Sequence, residues 1–249
     1  MTDTAAHRGD PWEDHAVWWQ REFTAGADPE YEEQIIPLVL AHLGEPGGAP
    51  AGGPGEGQLA RAIVAATGAR VVGVDPARAQ VVEADRRGGG PMLALAASHR
   101  LPVADESIDA VVVCLVLEHV DELDGSFAEL GRVLRPGGRL VLMLNHPLLQ
   151  TPGSGMIIDH VLDPPETYWR IGPYLDEAET IEEVQGGVFV RFVHRPLARY
   201  VNAVLAAGLR IVRMEEPAPP EGFLATADEY DRDVVRTTPR LLMLVADKG

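Results

Sequence analysis

Cysteine is nearly absent. Cys114 stands alone in a chain of 249 residues, which excludes an internal disulfide and suits a reducing cytoplasm. Basic residues are outnumbered: 21 lysines and arginines face 38 aspartates and glutamates, for a formal net charge of −17. Nucleic acid and anionic membrane surfaces both require a basic face, so neither suits this chain as a partner. No apolar run approaches transmembrane length. The opening MTDTAAHRGDPWEDH lacks the apolar core of a signal peptide. No internal repeat is visible. These absences predict a cytoplasmic protein with a small-molecule partner, no nucleic acid and no membrane, and they are compatible with a homodimer.

What is present fills a core. The hydrophobic fraction is 46%, and the length suits one α/β domain, alone or with a small cap. Lysine is scarce in a chain rich in alanine, glycine, proline and arginine, the composition of a high-GC coding sequence.

The stretch from Gly44 to Asp75 is the first with chemical content. Leu59, Ile63 and Val64 fall at the spacing of one buried helical face over 58–67. Gly68 then sits where a left-handed C-cap belongs. Residues 70–74 form a short apolar run ending at Asp75, as a buried parallel strand does. Glycine loop, helix, strand and acid, in that order, make the first half of a nucleotide-binding α/β unit. Glycines let the backbone approach a ligand that a Cβ would block, and the helix N-terminus offers free N–H groups. A carboxylate at the next strand tip can accept both hydrogen bonds of a ribose diol. Gly53, Gly55 and Gly57 supply the loop, and Asp75 supplies the carboxylate. The run Gly55–Ala60 also matches G-x-G-x-x-A, a dinucleotide fingerprint, so the glycines alone do not choose a cofactor. The strand expected before them, within 45–52, contains proline and glycine and no large or β-branched residue.

Strand and helix signals then alternate. Pro76 is expected at N1 of a helix reaching about Asp85. Short strands are expected at 92–96 and 110–117, the latter the strongest buried-strand signal in the chain. A helix follows over 124–134, then a tight turn at 135–138, then a strand over 139–144. The expected fold is a doubly wound α/β sheet, mostly parallel, covered on both faces. Residues 209–214 and 241–246 make a final antiparallel strand pair. Residues 1–43 are expected to form an aromatic arm and helix over a domain at 44–249, with an insertion at 147–190. The arm carries Trp12, Trp18, Trp19 and Phe23, as core packing or as a lid. A strand is expected over 186–193, a helix over 196–207, and a short helix within 225–235. The acids of 176–183 read as a solvated face.

Residues 101–144 resemble the class I S-adenosylmethionine-dependent methyltransferases, most of all their small-molecule, ubiquinone-biosynthesis-like branch. The resemblance lies in Leu101-Pro102 with Asp105, Ser107 and Asp109, in Leu117-Glu118-His119-Val120, and in Arg132-Val-Leu-Arg-Pro-Gly-Gly138. It implies a Rossmann-like fold and S-adenosyl-L-methionine as cofactor, rather than a dinucleotide. Gly53, Gly55, Glu56 and Gly57 would then hold its methionine part and Asp75 its ribose. Pro76, Ser98 and His99 would flank the adenine. Cys114 and Leu115 would face the sulfonium, with His119 beside the pocket. Two positions depart from the family pattern. Ala51 and Ala97 stand where acidic residues are usual.

Methyl transfer from a sulfonium needs alignment and exclusion of water, plus a base when the acceptor carries a proton. His146, directly after the fifth strand, is the first candidate base. His194, before the last helix, is the second and resembles a family position near the acceptor. His160 with Asp159 is a weaker third. None has metal-ligand spacing, so no metal is expected. Trp19, Tyr31, Tyr168, Trp169 and Arg170 are candidates for the acceptor's walls. The predicted activity is methylation of a small organic acceptor, with natural-product biosynthesis as the setting. The alternatives are a cyclase or isomerase that keeps the pocket and transfers no methyl group, and a binding module without catalysis.

Overall fold

The computed structural model describes residues 11–24, 28–44, 51–52, 55–161, 163, 165–228 and 231–249. In chain order these give α1 (Pro11–Glu22), a π-helical turn (Tyr31–Ile35) leading into α2 (Ile36–His42), β1 (Ala51–Gly52), α3 (Gln58–Thr67), β2 (Val72–Asp75), α4 (Arg78–Arg87) and β3 (Met92–Leu95). Then come β4 (Ile108–Cys114), a 3₁₀ turn (Leu117–His119), α5 (Leu123–Val133) and β5 (Leu134–Asn145). Two hairpins follow, β6 (Gly155–Asp159) with β7 (Glu166–Arg170), and β8 (Ala178–Gln185) with β9 (Val188–His194). The chain closes with α6 (Leu197–Ala206), β10 (Leu209–Glu215), α7 (Glu221–Leu224), α8 (Arg232–Thr237) and β11 (Leu241–Lys248).

Seven strands form one sheet in the order β10-β11-β5-β4-β1-β2-β3. Neighbours from β5 to β3 run parallel, and β11 lies antiparallel to both β5 and β10. The doubly wound sheet and its antiparallel final pair are therefore as expected. Side chains alternate across β4 as a period of two requires. Val111 and Val113 join the cluster under α5 and α6, with Phe127, Leu130 and Val204. Ala110, Val112 and Cys114 face the other way, onto Val39, Leu59 and Ile63 of α2 and α3. Each large side chain buried this way stabilises by roughly 1.5–3 kcal/mol, so the strand tips stand on a rigid base.

Local details depart from expectation for physical reasons. The helix expected within the 1–43 arm begins, at Tyr31, as a π turn in which the Ile36 N–H donates to the Tyr31 carbonyl. Pro37 follows at once, and its missing N–H and bulky ring disfavour an ordinary α turn there. Pro76 is not at N1: α4 starts at Arg78 with Ala77 as N-cap, because Pro76 completes the turn leaving β2. The Arg135–Gly138 turn is absorbed into β5. Ile108 pairs with Leu134 and Ala110 with Arg139, so the intervening residues loop out, with Gly137 at φ +74°. A Cβ on Gly138 would lie 2.8 Å from the Arg135 carbonyl oxygen. The acidic run belongs to β8, a strand with mostly exposed side chains. The first strand shrinks to Ala51–Gly52, paired to both β2 and β4, while 45–50 lie outside the described residues. Among the described residues, no helix is long and apolar enough to cross a membrane.

Candidate active site

Open α/β sheets bind ligands beyond the carboxyl ends of their strands. Here that edge carries a cavity in two compartments of about 270 and about 280 Å³. They share Asp75, Pro76, Val116, His119 and Val120 as a common wall. The first compartment is roofed by Trp12, Trp19 and Phe23 of the N-terminal arm and floored by Cys114 and Leu115. Ala97, Ser98, His99 and Leu101 line the second.

Asp75 ends β2, where one carboxylate oxygen accepts the Ala77 N–H at 2.9 Å. That contact orients the carboxylate at the junction of the compartments. Gly55 lines the first compartment at φ +49°. Gly57, the N-cap of α3 at φ +89°, lies behind it, where a Cβ would meet Arg61 Nη1 at 2.9 Å and the Ala84 Cβ at 3.3 Å. Glu56 is buried at 1% exposure and accepts from Arg61 at 2.6 Å and Arg87 at 2.7 Å, and from the Gln58 N–H at 3.1 Å. Arg87 also donates to Thr24 Oγ1 at 2.9 Å, which ties the arm to this cluster. Leu115 adopts φ +53°, rare for a side chain of its size, and its N–H donates to the Met143 carbonyl at 2.9 Å. Burial pushes the Cys114 thiol up to about 12, beyond the range of a thiolate nucleophile.

His119 faces both compartments. Its ring packs edge-on to Trp12 and against Phe192, each with ring centroids 4.7 Å away. Nδ1 lies 2.8 Å from the Arg191 carbonyl oxygen. A carbonyl only accepts, so Nδ1 carries the proton and Nε2 keeps its lone pair. Burial pushes this imidazole down to about 4, so it is neutral near pH 7.

Residues 51–142 match the family described as methyltransferase domain. The ubiquinone/menaquinone biosynthesis C-methyltransferase UbiE of Rubrivivax gelatinosus is 29% identical over 126 residues, covering 50% of this chain and 44% of that protein. The demethylmenaquinone methyltransferase of Thermobifida fusca is 39% identical over 101 residues, 36% of this chain and 43% of that protein. This chain thus spans under half the length of these two relatives. A solved S-adenosylmethionine-dependent methyltransferase from Mesorhizobium loti superposes with TM-score 0.70 at 24% identity, over 89% of this chain and 98% of that one. Residues 51–142 thus match a methyltransferase domain, and the chain has the class I methyltransferase fold.

The expected site residues divide. Gly55, Glu56, Asp75, Pro76, Ser98, His99, Cys114, Leu115, His119, Trp19 and Tyr31 all line the cavity. Gly57 stands behind it, and Gly53 lies outside the described residues. The two candidate bases do not line it. His146 is buried, with Nε2 donating to Glu216 at 2.9 Å and Nδ1 accepting from the Leu148 N–H at 3.1 Å, so both nitrogens are committed to the fold. His194 is also buried, with Nε2 donating to the Tyr174 carbonyl at 2.8 Å. His160 is exposed beyond β6. Tyr168, Trp169 and Arg170 lie on β7, paired to β6, outside both compartments, and Arg170 binds the Gly153 carbonyl at 2.9 Å. Their aromatic content suggested a pocket wall, but the insertion folds as its own hairpin.

The segment just beyond the insertion, from β9 into the start of α6, does contribute. Arg195, 4% exposed, donates to the carbonyls of Leu117 at 3.1 Å, Val120 at 2.7 Å and Asp121 at 3.2 Å. Arg191 supplies the carbonyl for His119 and binds the Asp121 side chain. Arg191 of β9 and Arg195 just after it thus clamp the turn that carries His119. Sequence reasoning missed this clamp, although two arginines four apart around an apolar pattern were the available signal. Arg195→Met keeps the stem and takes the guanidinium donor away from three carbonyls, of which Asp121 alone keeps another donor, the Leu123 N–H at 2.9 Å. It is expected to lower stability by about 2–4 kcal/mol in urea unfolding, with lysine recovering part of the loss.

Glu118, in the same turn, is buried at 3% exposure. Oε1 accepts from the Asn145 backbone N–H at 3.2 Å and its side-chain amide at 2.9 Å, while Oε2 has no hydrogen-bond partner among the described residues. Burial pushes the carboxyl from its usual 4.5 up to about 7. The folded state holds a proton there that the unfolded chain releases, so this group's stabilisation is full below about pH 4.5 and is lost as pH rises through 7. Glu118→Gln removes that loss. The variant should gain about 3 kcal/mol relative to the parent between pH 4 and pH 8 in denaturant titrations. An unchanged gap between the two pH values would refute the buried acid.

Proposed function

We propose that this protein transfers the methyl group of S-adenosylmethionine to an O–H or N–H group of a small organic acceptor. The observation that carries this reading is the meeting of the two compartments at Asp75 and His119. The residues present suit the cofactor. Asp75, its carboxylate oriented by the Ala77 N–H, presents an acceptor group to a ribose diol, Pro76 and Leu101 offer apolar contact for a base, and Gly55 leaves backbone exposed for the amino-acid end. Gly57 and Glu56 keep that loop in shape through α3 and the two arginines.

When bound, the cofactor supplies an activated methyl group on a sulfonium. The chain's own groups do the rest. Trp12, Trp19 and Phe23 close the first compartment and exclude water. Tyr31, which lines the same compartment as Cys114 and Leu115, shapes the floor on which the acceptor rests. His119 Nε2 accepts a hydrogen bond from the acceptor's O–H or N–H and takes that proton as methylation makes it acidic. An imidazole with a pKa near 4 is a weak base toward a free phenol, yet ample toward an alkylated oxygen. The single buried thiol favours a cytoplasmic setting.

A second reading, a cyclase or isomerase in the same cavity, is favoured by Ala97, which leaves the second compartment without the acid usual at that position. Mass spectrometry of products from a screen of phenols, alcohols and amines with S-adenosylmethionine separates the two. A gain of one methyl group supports transfer. Conversion of an acceptor without mass change supports the second reading.

A further inference from the structure

The second compartment contains a hydrogen-bond chain with a fixed direction. Ser98, in the loop after β3, and Ser126, fully buried in α5, both line it, and their Oγ atoms are 2.7 Å apart. Ser126 Oγ lies 2.8 Å from the Glu122 carbonyl oxygen. A carbonyl can only accept, so the single Ser126 proton points there. Ser126 then has only lone pairs to offer Ser98, and Ser98 must donate its own proton to Ser126. With both protons committed inside the wall, Ser98 keeps only lone pairs for the compartment. Other polar groups on that wall are placed differently: Asp121, Glu122 and His99 are exposed to solvent, and Glu129 just behind is held by Arg132 and the Leu101 N–H.

We propose that Ser98 reads the exocyclic amino group of an adenine in this compartment, as an acceptor whose polarity Ser126 and the Glu122 carbonyl set. This rests on the cofactor reading above. It supplies, through a neutral hydroxyl, the acceptor that Ala97 lacks. The chemistry recognised is an amino-purine: a base without that amino group leaves the Ser98 lone pairs facing nothing.

The test is calorimetric binding of S-adenosylhomocysteine and of its 6-deamino analogue, identical but for the missing amino group. The parent protein should prefer the amino compound by about tenfold. Ser98→Ala should bring the two ligands to within about twofold, mainly by weakening the amino compound. Ser126→Ala, which frees the Ser98 hydroxyl to turn, should narrow the ratio as well, with folding checked by thermal melting. Equal binding of both ligands by the parent, or a ratio unchanged in Ser98→Ala, would overturn the assignment and leave the cofactor reading standing. Failure of both ligands to bind would overturn both.

Discussion

Replacing His119 by alanine should slow methyl transfer by about 10²–10⁴-fold while cofactor affinity changes far less. The split follows from geometry. His119 shares walls with both compartments, but its one directed group is the Nε2 lone pair, with Nδ1–H held by the Arg191 carbonyl. Loss of the ring therefore removes the proton acceptor and leaves Asp75 and the glycine loop in place. The pH profile gives a second readout. The active form is the neutral imidazole, and burial pushes its pKa down to about 4. The parent's kcat/KM should therefore stay level on this limb above about pH 5 and fall as acid protonates the ring through pH 4. The same group weakens the fold in acid, because the unfolded chain binds a proton from about pH 6.5 downward and the folded one only near 4. A variant rate within threefold of the parent's, with an unchanged acid limb, would take His119 out of the chemistry.

The second large effect concerns Asp75. Asp75→Ala should weaken S-adenosylhomocysteine binding by roughly a hundredfold or more, since two hydrogen bonds to a charged acceptor contribute about 1.5–3 kcal/mol each. Asparagine, which keeps one acceptor oxygen, should lie between. The alanine variant also loses the bond to the Ala77 N–H, so its melting temperature must be compared before the affinity is interpreted. Unchanged affinity in a folded Asp75→Ala would mean that the diol, and with it the nucleoside, is held elsewhere.

Much of this was legible in the residues. Helix α3, strand β2 and Asp75 could be read because period and punctuation agree: an apolar stripe, a glycine in the left-handed region at Gly68, an apolar run and an acid. The antiparallel final pair was legible for the same reason, with Leu241–Ala246 buried on both faces. The catalytic assignment was harder. His146 follows a strand tip, which is where site residues fall, but the tip of β5 turns toward Glu216 of the chain beyond β10. That contact joins residues seventy apart, and no local pattern announces it. His119 was placed beside the pocket by the Leu117–Val120 motif, but its tautomer depends on a carbonyl from β9. The insertion misled in the opposite sense. Tyr168 and Trp169 have the composition of a ligand wall, yet they alternate along β7, and the strand pairs with β6 away from the cavity. Trp12 and Phe23, by contrast, reach it only because α1 crosses over α4 and β9.

One measurement bears on the whole account: calorimetric titration of the purified protein with S-adenosylhomocysteine. Saturable binding at one site per chain, accompanied by a change in the emission of Trp12 and Trp19 above the first compartment, is the predicted result. No heat and no emission change up to millimolar ligand would contradict it, because the carboxylate, the glycine loop and the neutral imidazole would then frame a cavity for something else.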